Sequence, residues 1–209
     1  MIADNGSTDG TREVAERVME EGRMANAETG GVPTGIQLRV LRLEQAGRGR
    51  ALKAAWFTSE AEVLSYMDID LSTDLRHLPE LIGTVAEGRA DVAVGSRLLP
   101  ESRTTRGWKR ELISRTYNRM LQAGLGLGVR DAQCGFKAIS RQAAQALLPQ
   151  VRDTGFFLDT ELLVLAQRGG WRVRELPVRW VDDPDSRVPL WRTIWQDLKG
   201  IWRMRMGHW

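Results

Sequence analysis

Cysteine is nearly absent from this chain: among 209 residues there is one, Cys134. A lone thiol excludes an intramolecular disulfide framework and any metal site built from several cysteines, and a reducing compartment is the natural expectation. Histidine is almost as scarce. The two present, His77 and His208, lie outside every motif described below, and a structural role is expected of both. No run of about 18 apolar residues occurs and no charged-then-apolar leader follows Met1, so neither a spanning helix nor a signal peptide is expected, and any membrane contact should be peripheral. An excess of one charge is also lacking. The formal net charge of +3 is too small to argue for a nucleic-acid partner.

What is present is 42% apolar and 27% charged sequence without repeats or low-complexity tracts, enough to bury one continuous core. Met1-Ile2-Ala3 reads as a minimal strand running into the turn-rich segment Asp4 to Gly10. Thr11 to Gly22 follows as a helix with Val14, Val18 and Met19 on one face, then a loop from Gly22 to Gly35. After that the elements alternate: strand Leu38–Leu43, helix Arg48–Thr58, strand Val63–Met67, helix Leu75–Glu87, strand Asp91–Gly95. Such alternation predicts an α/β fold with a largely parallel central sheet. In these sheets ligands bind where loops leave the carboxyl ends of strands. Three polar loops hold that position, after Ala3, Met67 and Gly95.

The loop after Met67 carries Asp68 and Asp70. In an extended segment residues i and i+2 point to one side, so both carboxylates can face one ligand. Hard oxygen donors of this kind suit Mg²⁺ or Mn²⁺ held together with a diphosphate. The competing reading is a solvated turn with capping acids, and Asp74 is expected to cap the helix that begins at Leu75.

These segments, in their order, resemble family 2 glycosyltransferases of the polyprenyl-phosphate (dolichyl-phosphate) glucosyl- and mannosyltransferase branch. The matching residues are Asp4 to Thr11, Gly47 to Leu52, Asp68 to Asp74, Gly95-Ser96-Arg97, Asp131 to Lys137 and Phe157 to Leu163. The resemblance implies a glycosyltransferase-A fold, with residues 1–188 as the catalytic domain and 189–209 as a separate C-terminal helix. It also implies inverting transfer of a hexose from a UDP- or GDP-sugar to a polyprenyl phosphate, assisted by Mg²⁺ or Mn²⁺. By the same resemblance Asp4, Arg48, Asp68, Arg97 and Arg187 would contact the sugar nucleotide, and Asp68 and Asp70 would hold the metal. Arg97, Arg106, Gln133 and Lys137 would line the acceptor pocket; independently of the resemblance, the basic stretch Arg103 to Arg119 offers Arg106, Arg110 and Arg115 as candidates to guide the lipid phosphate. Cys134-Gly135-Phe136 is expected to set a packed turn.

A phosphate monoester has a second pKa of about 6 and is mostly ionised near neutrality, so such an acceptor needs no base. In other branches of the family an acid near the Phe157–Leu163 motif acts as general base toward a hydroxyl. Glu161 would take that part if the acceptor were a saccharide. On a helix from Phe157 to Arg168, Leu158, Leu162 and Leu165 share a face, with Glu161 beside it and Asp159 well away.

From Pro189 onward the pattern is an amphipathic helix. Leu190, Trp191, Ile194, Trp195, Leu198, Ile201 and Trp202 form one broad face, and Arg192, Lys199 and Arg203 lie on another. The face can meet a membrane surface, the body of the domain, a membrane protein or a second copy of the chain. The expected location is cytoplasmic, peripheral on the cytoplasmic face of a membrane. Family members normally begin with a full strand and a further nucleotide-seating loop that precede the motif at Asp4, so the chain reads as N-terminally truncated. A truncated, non-catalytic membrane-associated domain is accordingly a third reading.

Overall fold

The structure is a computed structural model that describes residues 1–28, 39–45, 47–182 and 190–207, and the side chains of these apart from 22–28 and 190–194. Residues 29–35 of the loop expected from Gly22 to Gly35 and the strand residue Leu38 lie outside the described residues, as do Arg187 and His208 and the side chains of Leu190, Trp191, Arg192 and Ile194. The chain divides into two compact units, Met1–Thr58 and Ser59–Trp209.

In the first unit β1 (Ile2–Asp4) pairs in parallel with β2 (Val40–Arg42), Ala3 opposite Leu41. The helix α1 (Thr11–Glu28) starts where Asp9 accepts from the Thr11 backbone N–H at 3.1 Å, and it continues past Gly22, where a loop was expected. Its inward stripe also differs from the expected one. Ala15 is buried and Met19 half buried, while Val14 and Val18 are exposed. A stripe of i and i+4 residues passes through Ala15 and Met19 equally well, and the small alanine lets the helix lie close on the strands. The helix α2 (Arg48–Phe57) buries Gly49, Leu52 and Trp56.

The second unit holds a four-stranded sheet of β3 (Val63–Met67), β4 (Val92–Ser96), β6 (Phe136–Ser140) and β7 (Val173–Pro177), in the order β3-β6-β4-β7. A smaller parallel pair joins β5 (Arg103–Thr105) to β8 (Arg179–Val181). Helix α3 (Leu78–Ala86) packs on β4 and β6, α5 (Arg141–Leu147) on β6, and α6 (Leu158–Arg168) on β7. Helices α4 (Trp108–Leu125) and α7 (Leu190–Arg205) pack together. Every residue of β4 is buried, so its Val-Ala-Val-Gly run shows no polar alternation. Leu81, Val85, Ala93, Phe136 and Leu176 belong to one core cluster beneath α3.

The sheet is mixed. Strands β3, β4 and β7 run the same way, and β6 runs against both its neighbours. After β4 the chain leaves through β5 and α4, turns at Gly126 (φ 65°), where Gly126 N–H caps Gln122, and re-enters the sheet at the end it left, so that β6 runs back along β4. This reversal places the residues before Phe136 beside the carboxyl ends of β3 and β4. The expected helix from Leu75 begins instead as a 3₁₀ turn, Leu75–His77, capped by Asp74, which accepts from Arg76 N–H at 3.0 Å. His77 Nε2 accepts from Arg179 N–H at 3.0 Å, the structural role expected of it.

Helix α7 is fastened by polar contacts. Tyr117 donates to Asp197 at 2.7 Å, and Arg203 pairs with Glu161 at 2.9 Å. Asp197 is 2% exposed, and burial, aided by nearby Asp153, pushes its carboxyl up to about 6. Between its ordinary value of about 4 and that value the folded state binds the extra proton, so stability falls as pH rises through this window and levels above it. Asp197→Asn is expected to equal the parent in urea unfolding near pH 4 and to exceed it by on the order of 2 kcal/mol at pH 7.

Candidate active site

In the first unit the loop after β1 turns back on itself. Asp4 is 3% exposed and accepts from Ser7 N–H at 3.1 Å; hydrogen bonds from the Ser7 hydroxyl and backbone lower its pKa. Asn5 accepts from Gly47 N–H at 2.7 Å, tying this loop to the start of α2, where Arg48 is the first residue and half buried.

In the second unit the loop after β3 carries the acid pair, and it is a turn rather than an extension of the strand. Leu71 N–H reaches Asp68 O at 3.3 Å, Leu71 takes a left-handed conformation (φ 53°), and Asp70 accepts from Ser72 N–H at 3.0 Å. The i, i+2 alternation expected of an extended segment therefore does not operate; the closed turn orients the acids instead. Both are exposed. The turn is held at each end. Asp68 N–H donates to Gly135 O at 2.9 Å, and beyond Asp70 the Ser72–Asp74 segment runs along β8, with Val181 N–H to Ser72 O at 2.9 Å and Asp74 N–H to Arg179 O at 3.0 Å. Gly135 supplies more than a carbonyl. A Cβ there would lie 1.7 Å from Asp68 Oδ2, so the Asp68 carboxylate rests in the space that only glycine leaves open.

Arg97, directly after β4, is clamped by Asp131. Its Nε and Nη2 donate to the two carboxylate oxygens at 2.7 and 2.8 Å, and its backbone N–H adds a third bond at 3.0 Å. Burial opposes both charges, but their mutual attraction outweighs it, lowering the Asp131 pKa and raising that of Arg97. This is a largely buried bidentate pair, not a surface ion pair of little worth to stability. The guanidinium carbons of Arg97 and Arg106 stand 5.4 and 5.7 Å from the ring centroid of Trp180 on β8. Arg106 and Arg115 both pair with Glu111, and Arg110 pairs with Asp182 at 2.6 Å.

The remaining candidates are interior. Lys137 is fully buried, its ammonium 2.6 Å from Cys134 O, 3.0 Å from Asp159 and 3.3 Å from the Tyr66 hydroxyl, which itself bonds Asp159. A side chain enclosed in this way does not line a pocket, so the expected acceptor role of Lys137 gives way to an internal one. Gln133 is half buried and donates to Thr160 at 2.8 Å. The expected one-sided face of α6 is also revised: residues 158–166 are all buried, and its acids point into the core with partners. Glu161, 2% exposed, accepts from Asp153 N–H at 2.8 Å and Arg203 at 2.9 Å through one oxygen. Burial pushes the Cys134 thiol up to about 12, which excludes a thiolate near neutrality and agrees with the packed turn.

Asp68 and Asp70 fit a divalent cation as hard oxygen donors. Among the described residues no group of three His, Cys, Asp or Glu converges to hold a metal, so Mg²⁺ or Mn²⁺ would complete its shell with diphosphate oxygens and water, an ordinary arrangement for these ions. Arg187 lies outside the described residues. Asp131, Gly135, Tyr66 and Trp180 were not singled out in the sequence as site residues. The first two stood inside a recognised motif; Tyr66 sits two residues before Asp68, a nearness that marks it once the pairing of β3 with β6 is known; Trp180 carries no sequence signal.

Residues 1–148 match Glycosyl transferase family 2. Glycosyltransferase AglD of Haloferax volcanii is 40% identical over 93% of this chain and 29% of that protein. The dolichyl-phosphate beta-glucosyltransferase of Dictyostelium discoideum is 26% identical over 100% of this chain and 62% of its own length. The chain thus spans less than two thirds of these relatives. Among solved structures, glucosyl-3-phosphoglycerate synthase from Mycobacterium tuberculosis in complex with Mn²⁺ and UDP-glucose matches with a TM-score of 0.64 over 99% of this chain and 67% of that one, at 18% identity. That likeness carries the fold, and it agrees with the glycosyltransferase-A architecture expected from the motifs.

Proposed function

The chain belongs to glycosyl transferase family 2, and from that premise we propose that it carries the inverting transfer of a hexose from a UDP- or GDP-sugar to a polyprenyl, dolichyl-type phosphate. The observation that supports this acceptor best is the state of the two acids in the Phe157–Leu163 motif. Asp159 is held by Lys137 and Tyr66, and Glu161 by Arg203 and the Asp153 N–H. Neither is presented as a general base. A hydroxyl acceptor requires proton removal, whereas a phosphate monoester is already mostly ionised at neutral pH. The named activity of the Dictyostelium relative points the same way.

On this reading Asp68 and Asp70 would hold Mg²⁺ or Mn²⁺, whose charge would offset that developing on the departing diphosphate. Arg97 supplies a fixed cation, and Arg106, which also lies near the Trp180 ring, is assigned to the acceptor side. Gln133 lies at the same turn and contributes polar contacts to the sugar or acceptor. Asp4, Arg48 and Arg187 are assigned to the nucleotide by the order of the motifs alone. Catalysis then consists of aligning the phosphate oxygen with the anomeric carbon and neutralising the leaving group. Residues 1–188 form the transferring domain and 189–209 its C-terminal helix.

The test is transfer of radiolabelled sugar from a panel of UDP- and GDP-sugars to polyprenyl phosphate, with Mn²⁺ or with chelator. Metal-dependent product is the expected result, and Glu161→Gln should retain it within severalfold once melting shows the variant folded. Collapse in Glu161→Gln would instead indicate a saccharide hydroxyl acceptor with Glu161 as base. No product and no nucleotide binding from the folded protein would point to the non-catalytic reading.

The lipid acceptor calls for a membrane surface. Among the described residues no helix is long and apolar enough to cross a membrane. Helix α7 buries Met204 and Asp197 against the unit and leaves Trp195, Leu198, Trp202 and Met206 exposed in one stripe, with Lys199 beside Trp195. Trp108, Leu112 and Ile113 at the start of α4 are exposed as well. We assign these apolar residues and their flanking cations to peripheral contact with the cytoplasmic face of a membrane. Trp195→Ala with Trp202→Ala is expected to weaken co-sedimentation with anionic vesicles by about tenfold or more without changing the melting temperature. Loss of self-association in ultracentrifugation, with vesicle binding unchanged, would assign the stripe to a second copy of the chain.

A further inference from the structure

We propose that Lys137, Tyr66 and Asp159 form a buried brace that positions Asp68, which makes Lys137 a positioning residue for the sugar-transfer reaction rather than a ligand of substrate. The inference rests on the proposed function only in taking Asp68 to be a working carboxylate.

The geometry is set by the reversed strand. Tyr66 on β3 lies directly opposite Lys137 on β6, and residues so paired present their side chains to the same face of the sheet. That face receives Asp159 from the first turn of α6. The Lys137 ammonium therefore meets three groups from three parts of the chain: the Asp159 carboxylate at 3.0 Å, the Cys134 carbonyl at 2.6 Å and the Tyr66 hydroxyl at 3.3 Å. Tyr66 closes the set by bonding Asp159.

Two of these contacts lead to Asp68. Tyr66 stands two residues before it on the same strand. Cys134 immediately precedes Gly135, whose carbonyl accepts the Asp68 N–H at 2.9 Å and whose missing Cβ leaves room for the Asp68 carboxylate. The brace thus fixes the strand that delivers Asp68 and the turn on which it rests. Asp68 is exposed, and its carboxylate lies over Gly135.

Stability alone does not account for this arrangement. The Lys137 and Asp159 side chains are each 1% exposed, and a buried ion pair is commonly no more stabilising than apolar residues of similar volume. What a lysine–aspartate–tyrosine set provides, and a Met–Leu–Phe set does not, is directional bonding to one backbone carbonyl.

The test uses the full chain. Lys137→Met alone leaves Asp159 buried without its cation and can fail to fold, so the informative variant is Lys137→Met with Asp159→Leu, which removes both charges together. Tyr66→Phe, which deletes one hydroxyl, is the milder companion. Mn²⁺ affinity in the presence of UDP or GDP, transfer rate and melting temperature are measured in the parent and in an Asp68→Ala background. The expected result is a folded double variant with Mn²⁺·nucleotide affinity or kcat lowered about tenfold or more, and no further loss when the same changes are made in Asp68→Ala. A folded double variant with parental affinity and rate would overturn the brace, as would equal losses in both backgrounds, because either result disconnects Lys137 from Asp68. Mn²⁺·nucleotide binding without sugar transfer in the parent would sink the proposed reaction while leaving the brace to be judged by affinity; absence of both in the folded parent would overturn both.

Discussion

Gly135→Ala is expected to lower sugar transfer as far as Asp70→Ala does, on the order of 100-fold or more, while the protein stays folded. The added Cβ would fall 1.7 Å from Asp68 Oδ2, 2.1 Å from Cγ and 2.5 Å from Oδ1, far inside contact distance. Residue 135 is followed at once by β6, whose backbone is paired on both sides, so the glycine cannot retreat without breaking the sheet. Asp68 is exposed, so its side chain can swing toward solvent while the paired backbone of β6 stays in place. The methyl group therefore spares the fold and displaces the carboxylate. Displacement of a reacting or metal-holding group by about 1 Å commonly costs 100-fold in rate. Transfer assays beside Mn²⁺ titration and thermal unfolding check this; a parental rate in Gly135→Ala would show that Asp68 does not work from the place it occupies here.

Asp131→Ala is expected to destabilise the protein by about 3–5 kcal/mol, the usual result of leaving a buried charge without its partner. Asp131 has no exposed side-chain surface and accepts three hydrogen bonds from Arg97. At about 2–4 °C per kcal/mol for a chain of this size, the melting temperature should fall by roughly 10 °C. The effect carries a pH signature. The Asp131 pKa is lowered in the folded state, so its contribution is complete above the ordinary carboxylate value of about 4 and is lost as pH falls through the lower folded value. The difference in unfolding free energy between parent and variant should be flat from pH 5 to 8 and shrink below about pH 4. Unfolding titrations across that range decide the matter, and a difference independent of pH in acid would separate the loss from the Asp131 charge.

Both effects depend on contacts between segments far apart in sequence, and this marks the limit of what a reader of the residues could see. The strand Val63–Met67 and the Asp74 cap follow from local rules, and the structure holds both. The direction of β6 does not follow from local rules. Phe136–Ser140 has the composition of a strand whichever way it runs, and only its partners decide. Without that reversal Gly135 is a turn residue, Lys137 is a cation free to face a ligand, and Arg97 is a surface arginine. With it, Gly135 becomes a seat, Lys137 an internal brace and Arg97 half of a buried pair. Helix α1 departs from its expected face for a different reason: two helical stripes are available in its sequence, and the side that packs is chosen by the small Ala15, not by the larger valines.

The reversed strand also sets an order in time. Strands β3 and β4 are made well before β6, yet they do not pair with each other, because β6 lies between them. Each must wait for a chain segment that has not emerged, and closing so long a loop is an entropic barrier that slows folding. Until Phe136–Ser140 arrives, β3 and β4 expose unpaired edges, the condition in which nascent chains aggregate or bind chaperones. The Asp68 turn then has no seat, so the metal binding proposed for it should appear together with the sheet in a refolding experiment and not as an early, local event.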